Sequence, residues 1–258
     1  MNTQRETIFI SGAAAGIGLA AARHFYQLGY VVGMADLNLS LLKEVTAQWD
    51  DSSIRLYALD VSDFAQATKV ITEFCSENGD TLSVLLNNAG ILEIGAFQDI
   101  SNEQHSRILN VNVMGVINLS QAAWPYLKNN TQSTIVNMSS ASSDYGVPEL
   151  ASYSASKFAV KAITEALELE WLKYGIRVCD VLPPFVATNM VNSQKKTAKV
   201  LERLGVNLTV EDVVDVIDKQ VKAPKTHRTV SSFYGALHAL SNVSPAFVNR
   251  FVMKLLSR

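Results

Sequence analysis

Thr7-Ile8-Phe9-Ile10-Ser11-Gly12-Ala13-Ala14-Ala15-Gly16-Ile17-Gly18 sets a short apolar run against a glycine-rich turn. A helix-prone run continues to Leu28 and Gly29 closes it, and a second apolar run, Val31–Ala35, stops at Asp36. Strand, glycine turn, helix and strand in that order make a βαβ unit. Glycines let the backbone approach a pyrophosphate, and the helix N-terminus presents free N–H groups and the positive end of its dipole to it. Asp36 stands 18 positions after Gly18. A carboxylate there accepts hydrogen bonds from ribose hydroxyls and repels a 2′-phosphate. Neither Ala15 nor Leu37 is basic. The expectation is a dinucleotide site that prefers NAD(H) over NADP(H); the plainer alternative makes Asp36 the turn residue before Leu39-Ser40-Leu41.

The alternation continues outward from this unit. Helices are predicted over 39–49, 64–77, 101–127 and 152–174, and strands over 54–59, 82–86, 134–138 and 176–182. Gly175 is the expected C-cap of the helix before it. Apolar, β-branched strands alternating with helices predict an α/β fold, a single Rossmann-type doubly wound parallel sheet with helices on both faces. Ligands of such sheets bind at the carboxyl ends of the strands. Past Pro184 come a mobile-looking stretch at 192–199, a helix at 211–221 and a strand near 227–231. No linker divides the chain, so residues 1–258 read as one domain, with about 190–258 as a lid and C-terminal helical extension.

The 258 residues can bury roughly 70–75% of the unfolded surface. Hydrophobic residues make up 48% and charged residues 18%, an ordinary soluble balance. No apolar run reaches the ~20 residues that span a bilayer, and the polar start Met1–Glu6 does not read as a signal peptide. Cytoplasmic placement, peripheral to the inner face of a membrane, is expected. Cys75 and Cys179 read as reduced core thiols. The four histidines show no metal-ligand spacing, so no metal is expected, and nothing resembles a nucleic-acid module. Residues 191–258 carry 11 Lys/Arg against 5 Asp/Glu, while the whole chain is at −2. Such asymmetry marks either an anionic partner or a solvated face.

Tyr153 and Lys157 stand four apart on the 152–174 helix, on one face. A phenol is protonated at neutral pH, and a nearby ammonium favours the phenolate. That pairing suits a general acid/base; on spacing alone, chance explains it better.

Taken together these residues resemble the short-chain dehydrogenase/reductase family over about 5–190. Ser11-Gly12-x-x-x-Gly16-Ile17-Gly18 is similar to its cofactor turn, with Ser for the usual Thr. Asp60-Val61 resembles the adenine contact, and Asn87-Asn88-Ala89-Gly90 the motif beside the cofactor. Asn112 resembles the catalytic asparagine, with Asn110 as its decoy. Ser140 falls at the family's serine position, with Ser139 as its decoy. Pro183–Thr188 resembles the segment at the nicotinamide, except that Pro184 replaces glycine and removes an N–H. The resemblance implies Asn112, Ser140, Tyr153 and Lys157 as catalytic. It implies Gly12, Ala14, Gly16, Ile17, Gly18, Asp36, Asp60, Val61, Asn88, Ala89, Gly90, Tyr153, Lys157, Pro183, Val186 and Thr188 as cofactor-binding. Tyr153 would move the proton, Lys157 would lower its pKa and hold the nicotinamide ribose, Ser140 would bind the substrate oxygen and Asn112 would hold a water.

The expected reaction interconverts an alcohol and a ketone or aldehyde. A non-catalytic dinucleotide sensor on the same fold is the alternative, and would be expected to lack the tyrosine or the lysine. The enoyl-reductase branch places its tyrosine further ahead of the lysine, at a position that is Leu150 here; the epimerase-like branch is longer at its C-terminus. Leu92, Ser142, Tyr145, Val147, Phe185 and Met190 are the expected substrate lining, mostly apolar, which suggests a lipophilic small molecule. The family implies a homodimer through 101–127 and 152–174, with Ala155, Ala159, Ala162 and Ala166 as a small-residue face. Ser244-Pro245 reads as N-cap and first residue of a basic amphipathic helix. Its apolar face is Phe247, Val248, Phe251, Val252, Leu255 and Leu256, flanked by Arg250, Lys254 and Arg258. That face either packs on the chain's own domain or dimer partner, or makes a peripheral membrane contact through 244–258.

Overall fold

Each strand is a short apolar run that ends where the side chains turn polar. The computed structural model describes residues 5–257 except 193, 195, 206 and 207, so Met1–Gln4 and Arg258 lie outside the described residues. β1 (Thr7–Ser11), β2 (Val31–Asp36), β3 (Ile54–Ala58), β4 (Val84–Asn87), β5 (Ser133–Met138), β6 (Ile176–Leu182) and β7 (His227–Thr229) form one sheet in the order β3-β2-β1-β4-β5-β6-β7. All pairings are parallel. The order reverses between β1 and β4, and the crevice that opens there is the standard ligand position of an open α/β sheet.

The helices are α1 (Gly16–Gln27), α2 (Leu39–Val45), α3 (Phe64–Ser76), α4 (Asn102–Leu109), α5 (Gly115–Leu127), α6 (Ala151–Trp171), α7 (Asn189–Asn192), α8 (Lys199–Leu204), α9 (Val210–Lys222), α10 (Ser232–Val243) and α11 (Ala246–Leu256). They cover both faces of the sheet. Period-two alternation sends Ile8 and Ile10 to one core with Phe25, Val213 and Ile217. It sends Phe9 to the other with Phe74, Leu119 and Leu127. Fully burying a side chain of this kind stabilises the fold by about 1.5–3 kcal/mol. Cys75 and Cys179 are buried free thiols, one in each core. Burial pushes the Cys75 thiol up to about 12 and raises that of Cys179 as well.

Several boundaries differ from the sequence reading for local reasons. The 101–127 helix is continuous but passes through a π-helical stretch at Asn110–Met114 between α4 and α5. The 152–174 helix ends in a 3-10 turn, and Gly175 closes it at φ 75°, the left-handed C-cap conformation. Pro245 is the N-cap of α11 rather than its first helical residue, and Ser244 instead ends α10. α10 itself was not foreseen; Ser231 caps it by accepting from Tyr234 N. Part of 192–199 lies outside the described residues. Within it, Gln194 donates to the carbonyls of Leu92 (3.1 Å) and Met190 (3.0 Å) and accepts from Ile94 N (3.2 Å), so it clamps this segment to the loop after β4.

β7 is a short edge strand held by side chains as well as its ladder. His227 Nδ1 lies 3.0 Å from each carboxylate oxygen of the fully buried Asp180 on β6, and Nε2 lies 3.0 Å from Glu165 on α6. The hydrogen bond with Asp180 raises the pKa of His227.

Candidate active site

The turn after β1 is built for close approach. Gly12 (φ 66°) and Gly16 (φ 55°) adopt left-handed conformations that side chains resist. A Cβ on Gly18 would stand 2.1 Å from Gly12 O and 2.6 Å from Asn88 Nδ2, so this glycine lets α1 pack on the turn. Asn88 Nδ2 donates to Ser11 O (2.9 Å) and Gly12 O (3.0 Å), while Ser11 Oγ accepts from the backbone N–H groups of Asn88 and Ala89, both at 3.1 Å. These bonds tie the turn to the end of β4. Replacing Gly18 by Ala should therefore cost about 1–3 kcal/mol by overpacking, despite the better helix propensity of Ala. A urea midpoint unchanged from wild type would refute the packing argument.

Ala15 is the N-cap of α1 and makes no side-chain cap, and the first turn carries no acid. The leading N–H groups of α1 are thus left for a ligand, the arrangement that suits a phosphate. Asp36 is fixed at the end of β2: Oδ2 accepts from Ala14 N at 3.1 Å and Oδ1 from Asn38 N at 3.0 Å. Each oxygen keeps a further lone pair for a ligand hydroxyl.

Two cavities meet at Gly12, Asp36, Ala89 and Gly90. The larger, about 630 Å³, runs past Asp60, Val61 and Ser62 to α4. The smaller, about 250 Å³, runs past Gly16 and Ile17 to Ser140, Tyr153, Lys157, Pro183, Val186 and Thr188. The structure thus brings the expected cofactor residues to one cleft, except that Ala14 and Gly18 stand behind it as supports. Their cradle of N–H groups and glycines, with the Asp36 carboxylate beside it, fits a dinucleotide diphosphate and ribose.

Tyr153 and Lys157 project from the first turns of α6 into the smaller cavity. The Tyr153 ring and Ser140 border that cavity together, and Ser140 Oγ accepts from Ser142 N at 3.1 Å. Lys157 Nζ donates to Met138 O at 2.7 Å and lies 5.5 Å from the centre of the Tyr153 ring. Ser139 Oγ is turned away to Lys157 O at 3.3 Å, which separates it from Ser140. Asn112 is buried in the π-helical stretch, whereas Asn110 is exposed on the wall of the larger cavity. Asn112 Oδ1 accepts from Ile91 N (2.8 Å), and Nδ2 donates to Ile91 O and Ser156 Oγ, both at 3.0 Å. Its amide therefore braces the loop after β4 against α6. A Cβ on Gly90 would stand 3.3 Å from Asn112 Oδ1 and 3.7 Å from Lys157 Nζ, so Gly90 keeps that corner open.

One electrostatic expectation needs correction. Lys157 was expected to lower the pKa of Tyr153, but in the chain by itself burial raises it, and the neighbouring Ser140 hydroxyl offsets only part of that rise. Burial also lowers Lys157 to about 8. Desolvation outweighs the pair because the ammonium is directed to the Met138 carbonyl rather than to the phenol.

The expected substrate lining divides. Leu92, Phe185 and Met190 border the smaller cavity. Val147 packs behind Leu92 in an apolar cluster that also touches Tyr153 and Phe185. Ser142 is buried as part of the Ser140 turn, and neither it nor Tyr145 borders the cavity. Sequence reading also missed the outer wall of the larger cavity, formed by Asn102, Glu103, Ser106 and Arg107 of α4. Nothing in their spacing signals it, because only the packing of α4 brings them there.

With this geometry in place, the short chain dehydrogenase family profile matches residues 6–199. The chain belongs to the short-chain dehydrogenase/reductase family. It is therefore an oxidoreductase of alcohol and ketone groups that works with a nicotinamide dinucleotide. It is 34% identical to the meso-2,3-butanediol dehydrogenase of Serratia marcescens over 213 residues, 82% of this chain and 84% of that one. It is 31% identical to the 3-ketodihydrosphingosine reductase of Bacteroides thetaiotaomicron over 219 residues, 85% and 76% of the two. In fold it is similar to a short-chain dehydrogenase/reductase from Burkholderia phymatum, solved in complex with NAD, with TM-score 0.82, 22% identity and coverage of 93% and 94%.

Proposed function

We propose that this enzyme interconverts a lipophilic alcohol and its ketone or aldehyde with NAD(H), using Tyr153 as general acid/base. The observation that carries the reading is the convergence of Ser140, Tyr153 and Lys157 in one cavity, continuous with the cleft bordered by Asp36. The nicotinamide, when bound, supplies or accepts the hydride. The chain does the rest. Tyr153 gives a proton to the carbonyl oxygen, or takes it from the alcohol. Ser140 holds that oxygen and stabilises charge developing on it. Lys157 and the N-terminus of α1 place positive potential beside the phenol and the diphosphate. Because burial alone raises the Tyr153 pKa, lowering it falls to charge brought by the oxidised cofactor. Asn112 holds the loop after β4 in register with α6, and a water it supports would link Lys157 to solvent. Gly12, Gly16, Ile17, Asp36, Asp60, Val61, Asn88, Ala89, Gly90, Pro183, Val186 and Thr188 hold the cofactor, with Ala14 and Gly18 behind them.

Leu92, Phe185 and Met190 make the substrate end apolar, and one curated relative carries a lipid ketone's name. Reduced-nicotinamide absorbance with a graded series of secondary alcohols tests the reading. kcat/KM should rise with apolar chain length. Tight NAD binding without turnover of any alcohol would favour the sensor instead.

Residues 1–258 act as one domain in this proposal, with about 190–258 as substrate lid and helical extension. The enzyme works in the cytoplasm as a homodimer through α4–α5 and α6. Ala155, Ala162 and Ala166 are exposed and Ala159 is half-buried, so this face is not spent on the chain's own sheet. A groove lined by Trp124, Ile163, Leu167 and Trp171 runs beside it. Sedimentation at micromolar concentration should show a dimer, and Ala162→Glu with Ala166→Glu should yield monomers. A monomeric wild type would refute the interface. Reversible contact of residues 244–258 with a membrane would keep a lipophilic substrate within reach.

A further inference from the structure

α10 and α11 are mounted inside out. The polar side of α10 faces the domain: Tyr234 donates its hydroxyl proton to Asp144, and His238 Nδ1 lies 2.7 Å from the same carboxylate. Asp144 sits four residues beyond Ser140, and its other oxygen accepts from Lys161 at 3.3 Å. On α11, Asn249 donates to Ser241 O at 3.0 Å, and Met253 and Leu256 pack on the cluster of Leu92, Val147 and Leu150. Each helix therefore turns an apolar stripe to solvent. Phe233 (75% exposed), Leu237, Leu240 (60%) and Val243 (80%) recur at helical spacing on α10, and Phe247 (73%), Phe251 (61%) and Leu255 on α11. Among the described residues of α11, Met253 and Leu256 reach the domain's own apolar cluster, while Phe247, Phe251, Val252 and Leu255 stay exposed. A stripe of this length exceeds the scattered apolar exposure of an ordinary surface.

Charge decides what covers it. On α10 and α11 the Lys and Arg side chains are Arg250 and Lys254, and residues 229–257 carry no Asp or Glu. Arg250 and Lys254 flank the α11 stripe, where long stems can lie along apolar surface with their heads at the headgroups. A second copy docked face to face would set these cations against each other with no carboxylate between them. An anionic lipid surface meets both the cations and the stripe. Among the described residues no helix is long and apolar enough to cross a membrane, so the contact is in-plane.

We propose that α10 and α11 together form a docking face for an anionic bilayer. The α10 stripe lies outside the segment read from sequence. α11 packs on the apolar cluster behind Leu92, so docking sets the substrate side of the domain towards the lipid. Only this purpose rests on the lipophilic-substrate reading; the binding does not.

The test pellets the full chain, saturated with NAD, with vesicles of phosphatidylcholine alone or of equal parts phosphatidylcholine and phosphatidylglycerol. Binding is expected to the anionic vesicles only, and to fall at least tenfold as salt rises from about 0.05 to 0.5 M. Arg250→Gln with Lys254→Gln should weaken the partition about 30-fold, since each cation near such a surface contributes roughly fivefold. Leu240→Glu with Phe251→Glu should abolish it while leaving turnover of a short water-soluble alcohol unchanged. Pelleting with neither vesicle, or equally with both, overturns the proposal. So does a fall in sedimentation coefficient of the Leu240→Glu/Phe251→Glu protein without lipid, which assigns the face to a second copy. Because pelleting needs no turnover, a failure of the proposed reaction leaves this result standing.

Discussion

Tyr153→Phe should lower kcat about a thousandfold while changing the dissociation constant for NAD by less than about threefold. General acid/base groups contribute roughly 10²–10⁴ in rate, and the substitution removes only the proton-bearing oxygen. The ring stays, and with it the contact with the cluster of Leu92, Val147 and Leu150. The substitution leaves Ser140 Oγ its bond from Ser142 N, so the fold should survive. The pH profile adds a second check. Alcohol oxidation needs the phenolate, so its kcat/KM should climb with pH, and burial of Tyr153 places that climb high in the absence of other charge. Lys157 loses its proton near 8, which takes positive potential away as pH rises and bends the profile over. Lys157→Met should remove that bend and push the rising limb higher. Measured single-turnover rates decide the matter: Tyr153→Phe retaining more than a few per cent of wild-type rate would end the assignment of Tyr153 as acid/base.

The parts of this protein that sequence makes plain are those in which neighbours in the chain are neighbours in space. The β1–α1 turn is one: Gly12, Gly16 and Gly18 answer a local demand for unusual backbone and close packing, and Asp36 follows at the end of the next strand. Tyr153 and Lys157 are another, because one turn of helix brings them together. Buried against exposed position then separates Asn112 from Asn110, and hydrogen bonding separates Ser140 from Ser139. Neither distinction exists before the chain folds. The pKa of Tyr153 was misjudged for the same reason. Spacing reveals the cation, but burial and the direction of the ammonium are tertiary facts. In α11 the apolar periodicity was readable, but which way the stripe points was not. That depends on Asn249 meeting Ser241, and on Arg203 donating to Leu255 O from α8. For α10 it depends on Asp144, 90 residues before Tyr234.

The wild-type enzyme should favour NAD over NADP by at least a hundredfold in kcat/KM, and Asp36→Ala with Leu37→Arg should close or invert that ratio. The carboxylate of Asp36 borders both cavities, and its two oxygens are held by Ala14 N and Asn38 N. It cannot swing aside to admit a phosphate without breaking both bonds. A 2′-phosphate with about 1.5–2 negative charges some 5 Å away would be repelled by about 2–3 kcal/mol at an effective dielectric near 40, and 2.8 kcal/mol is a factor of about 100. The hydrogen bonds from ribose hydroxyls to a charged acceptor, about 1.5–3 kcal/mol each, are lost in addition. Arg107 is the group that could oppose this, since it borders the same cavity from α4. It is exposed, and attraction through solvent contributes about 1 kcal/mol or less, too little to offset the repulsion. Arg107→Ala should accordingly change the NAD to NADP ratio by less than about fivefold. Leu37 is 65% exposed, so Arg can stand there without disturbing the core. Removing the Asp36 carboxylate leaves Ala14 N without its partner, and the double variant should also lose about 1–3 kcal/mol of stability. Leu37→Arg alone keeps those bonds, so the two variants separate the charge effect from the structural one. Initial rates with both dinucleotides across the four proteins are the measurement. A wild type that turns over faster with NADP at limiting concentration would show that repulsion by Asp36 does not control the choice.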